Sequence, residues 1–172
     1  MAIELVLPAM EHKALYEAMM DEWLSFGGRL NPGALRSHGE PYETWLQWMR
    51  DDRDPLTCPE GSPPQTLYFL MENGELIGAA TVRHCLNGRT LIDGGHIGLG
   101  IRPSKRRMGK GAEALALAVG KAREMGAGAV LLTCAEDNTA SEKTMLKLGA
   151  VYENTLPNED GEPVKRFWIR GE

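Results

Sequence analysis

Metal and disulfide chemistry find little to work with in this sequence. Its 172 residues include three cysteines and four histidines. Cys58, Cys85 and Cys134 are far apart, odd in number and without metal-ligand spacing. That excludes a disulfide framework or a zinc ribbon and fits reduced thiols in a cytoplasmic protein. No two histidines form an HxxxH-type pair, so no metal is expected. The opening "MAIELVLPAMEHK" has no basic start, and nowhere do about 18 apolar residues run together. Neither a signal peptide nor a membrane span is expected. Excess positive charge is missing too. The net charge of −5 argues against a nucleic-acid partner held by a broad positive field. There is no GxxxxGK[ST] phosphate loop, no internal repeat and no low-complexity tract.

What is present suits one domain over 1–172, with 42% apolar and 25% charged residues. "IELVL" at 3–7 reads as a short strand. Leu15, Ala18, Met19 and Trp23 recur at helical spacing, and Gly27 and Gly28 end that pattern. Tyr42, Trp45, Leu46 and Met49 mark a second helix opened by Pro41. The proline-rich stretch 52–66 is a long loop, either a lid or a surface excursion. Asn73-Gly74 joins two strands in a hairpin, and Asn87-Gly88 is expected to turn "TVRHCL" back onto "RTLI". "HIGLGI" is a further strand, and "AVLLTC" at 129–134 reads as a strand covered on both faces. A helix over about 108–125 buries Ala112, Leu115, Val119 and Ala122 and stops at Gly126. The next helix opens with a capping box of Thr139 and Glu142 and ends before Gly149. Two last strands flank "NEDG". The class is mixed α/β, with helices on the faces of a mostly antiparallel sheet.

Against the acidic background stands "GIRPSKRRMGKGAEA", with Lys105, Arg106, Arg107 and Lys110 in six positions. Gly109 and Gly111 sit where a helix begins. Free amide groups and the helix dipole attract phosphate there, and glycine lets it come close. A pyrophosphate fits this turn. "GKGAEA" also satisfies the dinucleotide pattern GxGxxA, with Glu136 or Asp137 as an acidic ribose partner, but seven residues separate Ile101 from Gly109. A nicotinamide-dependent enzyme therefore stays as an alternative.

Arg106-x-x-Gly109-x-Gly111 resembles the R/Q-x-x-G-x-G/A motif of the GNAT acetyltransferase superfamily. "IRPSKRR" is similar to that family's strand-and-proline entry, and "DNTASEKTMLKLGA" to its second motif, with Asn138 and Gly149 at family spacing. The motif-bearing core spans about 65–155. The resemblance implies a single N-acetyltransferase domain of six to seven strands, splayed between its central strands, with about four helices. It implies acetyl-CoA as co-substrate. The pyrophosphate would lie on the amides of Arg107, Met108, Gly109, Lys110, Gly111 and Ala112 beside Arg106. The pantetheine arm would run along Leu99, Gly100 and Ile101, with Asn138 and Ser141 near it.

Acyl transfer to an amine needs a proton acceptor, an oxyanion donor and a leaving thiolate. A backbone amide near Leu99 to Ile101 is the candidate donor. His96, then His84, then Glu22 are the candidate bases, and a hydrogen-bonded structural role is open for either histidine. Glycines 98 and 100 in the strand mark a close approach, either by the thioester arm or by a packed protein element. Met145 stands where the family's usual acid is tyrosine, and a thioether donates no proton. That departure also leaves a non-catalytic acyl-CoA sensor as an alternative. The acceptor is an amine of a small molecule or peptide, the net charge mildly favours cationic ones, and the protein is a monomer or homodimer. Residues 24–66, with Trp23, Tyr42, Trp45 and Trp48, are available to shape its pocket.

Overall fold

The computed structural model describes residues 2–171. The chain runs β1 (Glu4–Val6), α1 (Lys13–Phe26), α2 (Tyr42–Asp52), β2 (Gln65–Glu72), β3 (Glu75–Arg83), β4 (Ile97–Ile101), α3 (Lys110–Glu124), β5 (Ala129–Ala135), α4 (Thr139–Lys147), β6 (Val151–Pro157) and β7 (Pro163–Arg170). Seven strands form two sheets, ordered β1-β2-β3-β4 and β5-β7-β6, and every ladder is antiparallel. The expected division between the central strands falls between β4 and β5.

Two cores hold this arrangement. On one face of the first sheet, Tyr16, Met19 and Trp23 of α1 and Tyr42, Trp45, Leu46 and Met49 of α2 close over Leu67, Phe69, Leu76 and Ala79. Trp45 stacks on Tyr16 at 4.5 Å and on Phe69 at 5.7 Å between ring centroids. On the other face, Ala114, Leu115, Ala118, Val119 and Ala122 of α3 pack on Ile77, Ala80, Val82 and Ile97, and on Val130 and Leu132 of β5. Each large apolar side chain buried in these layers contributes about 1.5–3 kcal/mol. Met19 and Trp23 of the expected α1 stripe are buried, while Tyr16 joins them and Ala18 is exposed.

The Asn73-Gly74 hairpin forms as expected, with φ of 53° and 77°. Asn87-Gly88 does not, and "RTLI" is no strand. The Asn87 side chain instead accepts the Thr90 amide at 3.0 Å, and a run of turns carries the chain to β4. The helix α4 is capped by Asn138, whose side chain accepts the Ser141 amide at 3.1 Å, rather than by Thr139.

Candidate active site

The two sheets touch at one point and then part. The His96 amide donates to the Leu131 carbonyl at 2.9 Å, and the Leu131 amide donates to His96 Nδ1 at 2.9 Å. Beyond this clasp β4 and β5 form no ladder. Between them lies a cavity of about 660 Å³.

The strand register says what β4 offers to that cavity. Arg83 donates to the His96 carbonyl at 2.7 Å and Arg102 to the Ile77 carbonyl at 2.8 Å, bracketing the β3–β4 ladder. Antiparallel pairs exchange bonds at alternate residues. Gly98 and Gly100 therefore bond to β3, while the amides of Ile97, Leu99 and Ile101 face away from it, toward the gap. Gly100 offers the gap no backbone group. Its role and that of Gly98 lie on the opposite side. A Cβ on Gly100 would sit 1.8 Å from the Asn31 carbonyl oxygen and 2.9 Å from the Trp23 ring, and one on Gly98 would sit 2.7 Å from Thr81 Oγ1. The close neighbour that these glycines admit is protein, the segment around Asn31 and Pro32.

The far end of the cavity is the start of α3. Gly109 caps the helix at φ 75°, and Arg107 beside it has φ 62°. The first helical bond runs from the Glu113 amide to the Gly109 carbonyl, at 3.4 Å. The amides of Lys110, Gly111 and Ala112 precede it and have no acceptor within the helix. A Cβ on Gly111 meets nothing within 4 Å, so this floor is open. Free amides at a helix start are the kind of group that attracts an anion. Much of the basic cluster is engaged with protein. Lys105 pairs with Glu75 at 2.7 Å and Lys110 with Glu72 at 2.5 Å. Arg106 Nε donates to the Ile101 carbonyl at 2.9 Å, and its guanidinium lies 5.4 Å from the Trp23 ring and 5.3 Å from that of Phe26. Arg107 and Met108 are exposed. The cluster thus positions the turn more than it supplies free charge.

From α4 and β5, Asn138, Ser141, Thr144, Met145 and Cys134 line the cavity. Asn138 spends its side-chain oxygen on the cap. Thr144 Oγ1 donates to the Ala140 carbonyl at 3.0 Å. The Ser141 hydroxyl has no protein partner among the described residues. Met145 is buried in the wall, and the Tyr152 hydroxyl is engaged with Thr155 at 2.7 Å, away from the cavity. Burial, helped by Glu142 and opposed by Lys165, pushes the Cys134 thiol above its ordinary value.

None of the three expected bases lines this cavity. His96 is buried and uses Nδ1 as an acceptor in the clasp, and burial together with the charge of Arg83 holds its imidazole below the ordinary value. His84 Nε2 bonds Thr66 Oγ1 at 2.8 Å, and burial lowers its pKa. Glu22 ties α1 to the turn after β4, accepting from Arg102 Nη2 at 3.0 Å and from the amide and hydroxyl of Ser104 at 3.0 and 2.9 Å. Burial alone would raise its carboxyl. The Ser104 amide, Arg102 and the Ser104 hydroxyl outweigh burial and hold it low. Among the described residues, the carboxylate that does line the cavity is Asp93, whose Oδ2 accepts from Asn158 at 3.1 Å.

The opposite wall comes from the other face of the first sheet: Trp23, Arg29, Asn31, Pro32, Thr81 and Arg83. Of the aromatics available to this wall, Trp23 reaches it, while Tyr42 and Trp45 belong to the core. The proline-rich loop lies elsewhere, with Thr57 and Pro59 on a separate surface pocket. Arg29, Arg83 and Asp93 were not singled out from the sequence. The available signal was an arginine ending the apolar strand "IGAATVR". The described residues contain no group of three or more His, Cys, Asp or Glu placed to hold a metal, and no helix long and apolar enough to cross a membrane.

The family model described as Acetyltransferase (GNAT) family matches residues 13–150. No curated protein sequence matches. Among solved structures, the fold is similar to the microcin C7 self-immunity acetyltransferase MccE in complex with acetyl-CoA and AMP, at 16% identity and TM-score 0.69, covering 98% of this chain and 92% of that one. It is similar to RimL, the ribosomal L7/L12 alpha-N-protein acetyltransferase in complex with coenzyme A, at 18% identity and TM-score 0.68, covering 99% and 94%. It is also similar to yncA of Salmonella typhimurium, a putative acetyltransferase with acetyl-CoA, at 14% identity and TM-score 0.65, covering 100% and 95%. At these identities the likeness is one of fold.

Proposed function

Since the chain belongs to the GNAT acetyltransferase family, we propose that it moves an acetyl group from acetyl-CoA to an amine of a small molecule or peptide by direct attack. The observation that carries this reading is the free backbone edge of β4 at Leu99, opening on a cavity whose far end is the unpaired start of α3. Neighbours of this fold crystallised with acetyl-CoA or CoA support the same co-substrate.

The amides from Arg107 to Ala112 would hold the pyrophosphate, with the open face of Gly111 letting it seat. Leu99 through its outward amide and carbonyl, and Ile101 through its amide, would bond the pantetheine arm, and Asn138 and Ser141 would flank it. The Leu99 amide then donates to the thioester oxygen as negative charge gathers there. The amine nitrogen forms the new bond to the carbonyl carbon, and the carbon–sulfur bond breaks. Ser141 donates a hydrogen bond to the departing sulfur in place of the family's tyrosine. A thiol with an ordinary pKa of about 8.5 leaves readily with that help. The amine proton passes by way of water to Asp93.

Gly111→Val tests the placement. Its side chain enters space that is open in the protein, so the fold should hold while calorimetric affinity for acetyl-CoA falls at least about tenfold. Unchanged affinity would reject the phosphate site. A thermal-shift comparison of CoA with NAD and NADP separates this reading from a nicotinamide enzyme, since only a ligand that binds the native state raises its melting point.

A further inference from the structure

The acceptor wall carries an arginine that the proposed chemistry does not use. Arg83, the last residue of β3, lies half-buried against the Gly94 backbone. A Cβ on Gly94 would come within 3.1–3.3 Å of its guanidinium. Nη1 donates to the Gly95 carbonyl at 3.0 Å. Nε and Nη2 have no protein acceptor, and no carboxylate lies within 4 Å of the group, among the described residues. The surroundings repel more than they attract. After burial itself, the charge of Arg89 acts on Arg83 more strongly than the opposing charge of Asp93. Arg29 lines the same cavity. In a chain of net charge −5, this wall is locally positive, and it reverses the mild preference for cationic acceptors that the net charge suggests.

A half-buried guanidinium with no counter-ion, whose Nε and Nη2 are accessible and unpaired, is a ready partner for an anion. The Nε–Nη2 edge presents two parallel N–H groups in the spacing of a carboxylate's two oxygens. Because Nη1 is held by Gly95 and the plane rests on Gly94, that edge is fixed in direction. Resting on the acetyltransferase reading of the cavity, we propose that the acceptor is a small amine that also carries a carboxylate, an amino acid or similar compound. Arg83 grips that carboxylate, and the amine is left facing the thioester near Leu99.

The test uses matched primary amines, each offered as free acid, as amide and as phosphonate. Binding to the CoA-loaded protein is measured by calorimetry, and turnover with acetyl-CoA by thiol release. Acids should exceed their amides by about tenfold to a hundredfold in affinity and in kcat/KM, the span of a hydrogen-bonded charge pair. Arg83→Gln should close that gap, and Arg83→Lys, which keeps the charge but not the fork, should restore part of it. Melting curves of both variants establish that they fold. Should Arg83→Gln fail to, the comparison of acid with amide on the unaltered protein and on Arg83→Lys decides alone. Amides bound as well as acids, a gap that survives in Arg83→Gln, or phosphonates preferred to carboxylates would each overturn the inference. Failure of acetyl-CoA itself to bind would fall instead on the acetyltransferase reading, because acid and amide are still distinguished by calorimetry on the protein without CoA.

Discussion

Replacing His96 separates a structural clasp from a catalytic base. The Leu131 amide it accepts is buried where the two sheets meet. His96→Ala removes the acceptor and leaves that amide unpaired, at about 1–3 kcal/mol. In a chain of this length each kcal/mol moves the melting temperature by about 2–4 °C, so the loss should be roughly 2–12 °C. His96→Asn is the informative partner. Its Oδ1 stands about where Nδ1 stood and can accept the same bond, so most of the stability and turnover should remain. The pH dependence gives a second readout. An imidazolium carries protons on both nitrogens and cannot accept from Leu131. Burial and Arg83 hold the folded-state pKa below its ordinary 6.5. The unfolded chain therefore binds the proton first as pH falls. The stabilisation is full above about pH 6.5 and is lost progressively from there down through the folded-state pKa. His84, also lowered by burial, adds a slope of the same sign, so the measurement is the difference between wild type and His96→Asn in urea unfolding from pH 8 to 5. A shallower acid limb in the variant is expected. A His96→Asn protein that melts like wild type but has no turnover, or an acid limb identical in both, would refute the clasp and return His96 to the chemistry.

Two further outcomes follow from the cavity lining. Asp93→Asn can still accept from Asn158 but cannot take a proton, so kcat at pH 7 should fall about a hundredfold or more and recover as the acceptor amine deprotonates at higher pH. An unaltered pH–rate profile would remove Asp93 from the proton path. In a Cys58→Ser, Cys85→Ser background, the raised pKa of Cys134 should make its alkylation by iodoacetamide slow at neutral pH and steeply faster as pH climbs. Saturating CoA should slow it further, and labelling at the rate of a free thiol with CoA present would contradict its place in the wall.

Features governed by neighbours in the chain were legible in the sequence. Asn73-Gly74 supplies the two positive φ angles a tight hairpin requires. Apolar spacing marked the buried stripe of α2 and placed α3 to within two residues, and the glycines at 109 and 111 announced a helix start with an open floor. The failures came where a side chain competed with the backbone pattern. Asn87 bonds the Thr90 amide and stops the second hairpin, and Asn138 takes the cap that Thr139 was expected to supply. What the sequence could not carry was distance. His96 shares a strand face with two glycines, which made it an attractive base. Its partner, Leu131, is 35 positions away, and nothing local to "HIGLGI" shows that the ring is already engaged.

Glycines 98 and 100 show the same limit from the other side. A glycine in a strand says that something comes close, but not what. Here it is the Asn31 carbonyl and Trp23, brought from the far face of the sheet. The consequence is a division of labour along one short strand. Odd residues of β4 turn their backbone groups to the gap where the thioester would lie, and even residues give up their side chains so that the acceptor wall can reach the same strand from behind. Five residues thus present a free backbone edge to the gap and admit a protein wall from behind. The segment around Asn31 and the Trp23 ring are held against β4 by contacts that a side chain at Gly100 would destroy, so their place in the cavity wall depends on that glycine.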